Sequence, residues 1–254
     1  MSETPLGRFC WYELLTTDLE GAQDFYRKIV GWETGAWQGE GPEYITWNNN
    51  GTPVGGVMQL PADALAGGAP AHWMPYLSTP DVDATVAQAE RLGGGTIHRM
   101  EIPEVGQIAV LRDPGGAVFT AYQPSGDTPG HDGEPALGEF SWHELVAGDI
   151  EAAWSFYADL FGWEKTTAMD MGEAGIYQMY GRDGKELGGM MNRSDDMPPP
   201  CWGLYILVSD VHASAELVKE LGGSVVIGPM EVPGGEFILQ GIDPQGAAFA
   251  LHSR

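Results

Sequence analysis

Basic residues are scarce in this chain: 12 Lys and Arg stand against 36 Asp and Glu, for a formal charge of −24 over 254 residues. Nucleic acid and anionic membrane surfaces both recruit clustered cations, so neither is an expected partner. A field of this sign draws in cationic small molecules and also keeps a protein soluble. Cysteine is nearly absent. Cys10 and Cys201 lie in apolar, strand-like contexts and in no metal or redox motif, so both are expected to be buried thiols in a reducing compartment. No apolar run is long enough to span a membrane, and the opening MSETPLGR has no signal-peptide pattern. The expected location is cytoplasmic. Gly93-Gly94-Gly95 follows a helical stretch instead of opening one, which excludes a phosphate loop, and no Ser sits in a nucleophile elbow.

What the chain does contain is repetition. WYELLTTDLEGAQDFYRKIVGW, from Trp11 to Trp32, returns as WHELVAGDIEAAWSFYADLFGW from Trp142 to Trp163. Trp11, Glu13 and Leu15 alternate with Tyr12 and Leu14, which is strand periodicity. Asp18 then opens a helix with Leu19, Ala22, Tyr26 and Ile29 at helical spacing; its carboxylate suits the unsatisfied N–H groups and positive dipole of a first turn. Gly31 supplies a left-handed exit, and Asp149 and Gly162 play these parts in the second copy. Three short strands are expected after the first helix, over Glu33–Gln38, Tyr44–Trp47 and Val54–Leu60. Turns at Gly39-Glu40-Gly41-Pro42 and at Asn48-Asn49-Asn50-Gly51 separate them, the second with the Asn-Gly hairpin signal. Pro61 to Pro70 reads as a connector.

The same plan recurs from His72: a strand to Ser78, a helix capped by Asp81, then strands at Thr96–Met100, Gln107–Arg112 and Ala117–Tyr122. The last two are joined by the turn Asp113-Pro114-Gly115-Gly116. Pro124 to Gly138 has linker composition, and beyond it Trp202, Tyr205, Asp210 and the Asp243-Pro244-Gln245-Gly246 turn repeat the landmarks. Four βαβββ modules give an α+β chain with a first domain over 1–124, a linker over 125–138 and a second domain over 139–254.

These modules resemble the vicinal oxygen chelate superfamily, which includes glyoxalase I, extradiol dioxygenases, fosfomycin-resistance enzymes and bleomycin-resistance proteins. The residues carrying the likeness are the strand followed by Asp-Leu-Glu…Phe-Tyr…Gly-Trp and the late Asp-Pro turns. Within the superfamily the chain looks most like two-domain actinobacterial glyoxalase/bleomycin-resistance-type proteins, some labelled hydroxylases. The resemblance implies that each pair of modules forms a curled mixed sheet around a cavity. It also implies metal-ligand positions on the first, fifth and last strands of each domain. Those positions fall on Trp11, Pro75 and Thr120, and on Trp142, Leu204 and Ala250. Indole nitrogen has no lone pair for a metal and the others are no stronger, so no cofactor is expected. The alternative is a divalent metal shifted onto Glu13, Tyr12, His143, Glu144, His72 or His252.

Strand alternation puts Glu13 beside Trp11, and Glu144 beside Trp142, on the presumed cavity face. Thr120 and Tyr122 share that face in the first domain and His252 in the second, while Tyr12 and His143 point towards the helices. Glu13 and Glu144 sit in apolar strands where an unpaired carboxylate is costly, so they are candidate anchors or bases; His252 is a candidate proton donor. Trp11, Trp73, Trp142 and Trp202 are candidate aromatic walls for a planar or cationic ligand. The expected function is binding of a small aromatic or cationic molecule without the family metal, with the second domain the richer site. The alternatives are a glyoxalase- or hydroxylase-type enzyme, with Glu144, His252 and Glu13 as candidate catalytic residues, and a partner-binding protein with degenerate cavities. The fused chain is expected as a monomeric pseudo-dimer or a homodimer.

Overall fold

A computed structural model describes residues 3–37 and 44–254. The first half runs β1 (Phe9–Thr16), α1 (Leu19–Ile29), β2 (Glu33–Ala36), β3 (Ile45–Asn49), β4 (Thr52–Gln59), α2 (Ala62–Ala66), β5 (His72–Ser78), α3 (Val82–Arg91), β6 (Gly95–Ile102), β7 (Gly106–Arg112) and β8 (Val118–Pro124). The second runs β9 (Phe140–Ala147), α4 (Ile150–Phe161), β10 (Glu164–Asp170), β11 (Ile176–Arg182), β12 (Lys185–Asn192), β13 (Cys201–Leu207), α5 (Val211–Glu220), β14 (Ser224–Val232), β15 (Glu236–Ile242) and β16 (Ala248–Ser253). Each half forms one eight-stranded mixed sheet, in the orders β2-β3-β4-β1-β5-β8-β7-β6 and β10-β11-β12-β9-β13-β16-β15-β14. Neither sheet closes into a barrel. The four βαβββ modules are therefore present as expected.

Local chemistry explains the boundaries. Asp18, Asp81, Asp149 and Asp210 each cap a helix, accepting first-turn N–H groups at 2.8–3.2 Å, the arrangement that satisfies otherwise orphaned donors. Gly162 ends α4 in the left-handed region, at φ 69°. Asn50 and Gly51, at φ 49° and 81°, make the hairpin between β3 and β4. Three expectations need adjustment. The stretch from Pro61 to Pro70 is more than a connector, since it holds the five-residue α2. The strand expected over Glu33–Gln38 ends at Ala36, and its last residue with the turn Gly39-Glu40-Gly41-Pro42 lies outside the described residues. Cys10 is buried, but Cys201 is only partly so.

The chain packs as two compact units that cut across its halves. One takes Met1–Trp11, Pro75–Asp132 and Trp142–Gly203; the other takes Tyr12–Met74, Gly133–Ser141 and Leu204–Arg254. Each unit thus owns one module from each half.

In the first unit, Tyr157 of α4 is wholly buried and donates its hydroxyl to Asp113 Oδ2 at 3.2 Å. Asp113 Oδ1 accepts the Gly116 and Ala117 N–H groups at 2.7 and 2.9 Å. Burial, countered by these donors, leaves the Asp113 carboxyl above its ordinary range. Around this pair lie Trp163, Trp202, Phe9 and Phe119, with Trp163 Nε1 donating to Gly7 O at 2.9 Å. In the linker, Asp132 pairs with Arg8 and Arg182, which hold its carboxyl below the usual range against the opposing effect of burial.

The second unit repeats the design. Tyr26 of α1 donates to Asp243 Oδ2 at 3.1 Å and accepts from Trp73 Nε1 at 2.9 Å. Trp32 Nε1 donates to Gly138 O at 2.7 Å, and Trp47, Phe140 and Phe249 complete the aromatic packing. The Phe-Tyr, Gly-Trp and Asp-Pro residues that identify the repeat are therefore struts of two aromatic cores.

Candidate ligand-binding site

On β9 successive side chains point to opposite faces. His143 and Leu145 enter the core beside Phe9, the imidazole stacking on that ring at 3.7 Å. Trp142 and Glu144 take the opposite face. Glu144 stands in register with Gly189 of β12. The Tyr177 ring lies against Gly189, so any side chain there would strike it. The Tyr177 hydroxyl donates to Glu144 Oε2 at 3.1 Å and accepts from Trp142 Nε1 at 2.8 Å. Indole only donates, so the polarity of this chain is fixed: Trp142 to Tyr177 to Glu144. Glu144 is 9% exposed, and the incoming hydroxyl offsets part of the cost of burying a carboxylate. Cys201 is a neighbour, its thiol pushed up by burial and then by the charge of Glu144.

The first half carries a counterpart in the second unit. Glu13, also buried, pairs with Gly56 of β4, and the Tyr44 hydroxyl lies against Gly56. Tyr177 follows Tyr44 by the same 133 residues that separate Gly189 from Gly56. Sequence reading singles out both carboxylates as candidates and points to neither tyrosine. The available signal was the pair of adjacent glycines, Gly55-Gly56 and Gly188-Gly189, in strand interiors where glycine marks a close approach.

Other candidates fall elsewhere. Trp11 is partly exposed on β1. Thr120 is fully buried, in register with Tyr76 and Val110. Tyr122 donates to Val105 O at 3.0 Å, and burial pushes its hydroxyl up to about 12. His252 Nδ1 is hydrogen-bonded to Ser141 Oγ at 3.0 Å, and its Nε2 lies 3.1 Å from Glu236 Oε2 without hydrogen-bond geometry. Trp73 and Trp202 are not cavity walls. Both are core residues, Trp73 bonded to Tyr26 and Trp202 set edge-on to Tyr157 at 5.3 Å. They stand eight residues before their capping Asp, whereas Trp11 and Trp142 stand seven before theirs, and one residue reverses the face of a strand. Two surface hollows, of about 280 Å³ beside Arg99 and Met100 and about 330 Å³ beside Leu137 and Arg254, include none of the candidate residues.

His143 supplies a pH test. Burial holds its imidazole down to about 4, against an opposing bond between Nδ1 and Leu187 O at 2.7 Å. An unfolded imidazole near 6.5 takes up its proton first as pH falls, so the stability tied to the neutral ring is present above 6.5 and lost between there and 4. The stability difference between the native chain and His143→Phe should change by roughly 3 kcal/mol between pH 7 and 4, in the variant's favour. Urea titrations at the two pH values measure it; an unchanged difference would show that His143 titrates normally.

The metal positions implied by the resemblance hold Trp11, Pro75 and Thr120 in one half and Trp142, Leu204 and Ala250 in the other. Indoles, a proline ring and alkyl groups offer no donor atom to a metal, and one threonine hydroxyl falls short of the several O or N donors that hold a divalent cation. Among the described residues, no three His, Cys, Asp or Glu side chains gather in a group that could hold a metal ion.

Tandem βαβββ modules with paired Asp-Pro turns define the class. Residues 12–122 match the glyoxalase-like domain family and residues 139–251 the Glyoxalase/Bleomycin resistance protein/Dioxygenase superfamily. The chain belongs to that superfamily, as a tandem pair of its domains. A Mycobacterium tuberculosis protein named "Putative glyoxylase CFP32" is 37% identical over 258 residues, covering 98% of this chain and 96% of its own length. The anthracycline biosynthesis protein DnrV of Streptomyces peucetius is 29% identical, with 96% and 92% covered. Homoprotocatechuate 2,3-dioxygenase of Brevibacterium fuscum, in complex with 3,4-dihydroxyphenylacetate, shares the fold with a TM-score of 0.69 at 16% identity, covering 99% of this chain and 82% of that one. Among the described residues, no helix is long and apolar enough to cross a membrane.

Proposed function

We propose that this protein binds a small aromatic or cationic molecule without the superfamily's metal, using Glu144 as the polar anchor. The observation that carries this reading is the Trp142–Tyr177–Glu144 chain. Because Tyr177 spends its one proton on Glu144, the carboxylate is held as an acceptor, and its complement is a donor such as a protonated amine or a phenol. The chain's net charge of −24 favours the cationic choice by long-range attraction. The relationship to proteins named for anthracycline biosynthesis agrees with a planar aromatic body carrying such a group. Glu13 is the counterpart of this carboxylate in the first half. The working location is the cytoplasm.

Titration calorimetry with the amino-sugar anthracycline daunorubicin, its amine-free aglycone and a simple catechol tests the reading. At least one should bind, and Glu144→Gln should weaken that binding ten- to a hundred-fold, the equivalent of losing a charge-assisted hydrogen bond of about 1.5–3 kcal/mol. Chelator treatment should leave both affinity and melting temperature unchanged. No binding by any of the three, or a stoichiometric divalent metal lost in Glu144→Ala or His252→Ala, would overturn it and favour a metal-dependent enzyme.

A further inference from the structure

The two carboxylate sites match in Glu, Gly and Tyr but differ on the fifth strand of each half, where Cys201 and Gly203 answer His72 and Met74. Beside Glu144 stands Gly203 of β13; a Cβ built there lies 3.6 Å from Glu144 Cβ and 3.8 Å from Oε1. Those are ordinary van der Waals distances, and Gly203 is not among the glycines with positive φ. Neither a clash nor the backbone thus requires glycine, and glycine in a strand interior costs stability. Its recognised use in such a place is to let something approach closely.

Gly203 stands seven residues before the capping Asp210, and the residue seven before Asp81 is Met74. Met74 is buried, and alternation with the core residue Trp73 puts it on the face opposite the core. Tyr12, one residue from Glu13, stacks on Phe140 at 3.6 Å, and Phe140 packs on Trp73. Glu13 therefore shares the face of Met74, as Glu144 shares that of Gly203. A long thioether fills irregular space well, and Met74 holds the position on β5 that the small Gly203 holds on β13.

We infer that Gly203 and Met74 decide which site works: the Glu144 site admits a ligand, and the Glu13 site is plugged by Met74. This inference rests on the binding role proposed above and assigns one ligand per chain despite the duplicated carboxylates. The ligand is one whose amine or phenol end reaches Glu144 across the bare Gly203 backbone.

The experiment is calorimetric stoichiometry with whichever of daunorubicin, its aglycone or catechol binds the native chain. The native protein should take one ligand. Gly203→Met should lower affinity at least ten-fold while Gly203→Ala, which adds only a Cβ at contact distance, lowers it far less. Met74→Gly should raise the stoichiometry to two, and the added site should vanish again with Glu13→Gln. Circular dichroism confirms that each variant is folded. Two ligands on the native chain, or undiminished binding by a folded Gly203→Met, would overturn the inference while leaving the binding role intact. Absence of binding by the native chain would remove both.

Discussion

Trp163→Ala should destabilise the protein by about 3–5 kcal/mol, the range for truncating a large buried aromatic. The indole is 3% exposed and contacts Tyr180 at 4.5 Å, Tyr157 at 5.4 Å and Phe9 at 5.5 Å between ring centres. Removing it opens a void that these rings cannot all collapse into, and it strips Gly7 O of the indole donor. Trp163→Phe should cost clearly less, since a ring remains but the bond is lost. Urea unfolding followed by circular dichroism gives both values. A loss below about 1 kcal/mol for the alanine variant would be a surface-like effect and would contradict the buried aromatic core. The adjacent Gly162, with its left-handed φ of 69°, turns the chain so that Trp163 enters that core, which is why Gly-Trp recurs as a pair.

The second large effect is expected at Asp113. Asp113→Ala removes the acceptor of two backbone N–H groups and of the Tyr157 hydroxyl at once. Unsatisfied buried donors cost about 1–3 kcal/mol each, and some relaxation will recover part of that, so a net loss of roughly 3–5 kcal/mol is expected. Asp113→Asn keeps an oxygen for the turn and should cost far less. Because burial already raises the Asp113 carboxyl, exchanging it for a neutral amide is the milder change. A double-mutant cycle with Tyr157→Phe should return a coupling of about 1–3 kcal/mol. A cycle that closes at zero would show that the Tyr157–Asp113 bond contributes nothing.

Much of the fold was legible because its signals are local. A capping Asp, a left-handed Gly and an Asn-Gly hairpin each act within a few residues, so Asp18, Gly162 and Asn50-Gly51 do in the structure what their chemistry suggests. The pairing of Tyr26 with Asp243 could not be read this way, since 217 residues separate them and no local rule couples a helix to a distant turn. The candidate site was half legible. Alternation identified Glu13 and Glu144 because their strands are regular. It failed for Trp73 and Trp202, where tryptophan was matched by type instead of by distance from the capping Asp. Tyr177 went unnoticed because its role depends on a cross-strand neighbour, Gly189, which has no side chain to announce it.

The division of each unit between the two halves also bears on synthesis. The first Phe-Tyr helix leaves the ribosome long before its carboxylate acceptor at Asp243, so the nascent amino-terminal half must wait with an unfinished core. A gene fragment encoding that half alone would meet the same shortage, and its nearest remedy is a second copy of itself, whose own Asp113 could stand in for the missing Asp243. With the halves fused, Tyr26 finds its acceptor Asp243 on the same chain.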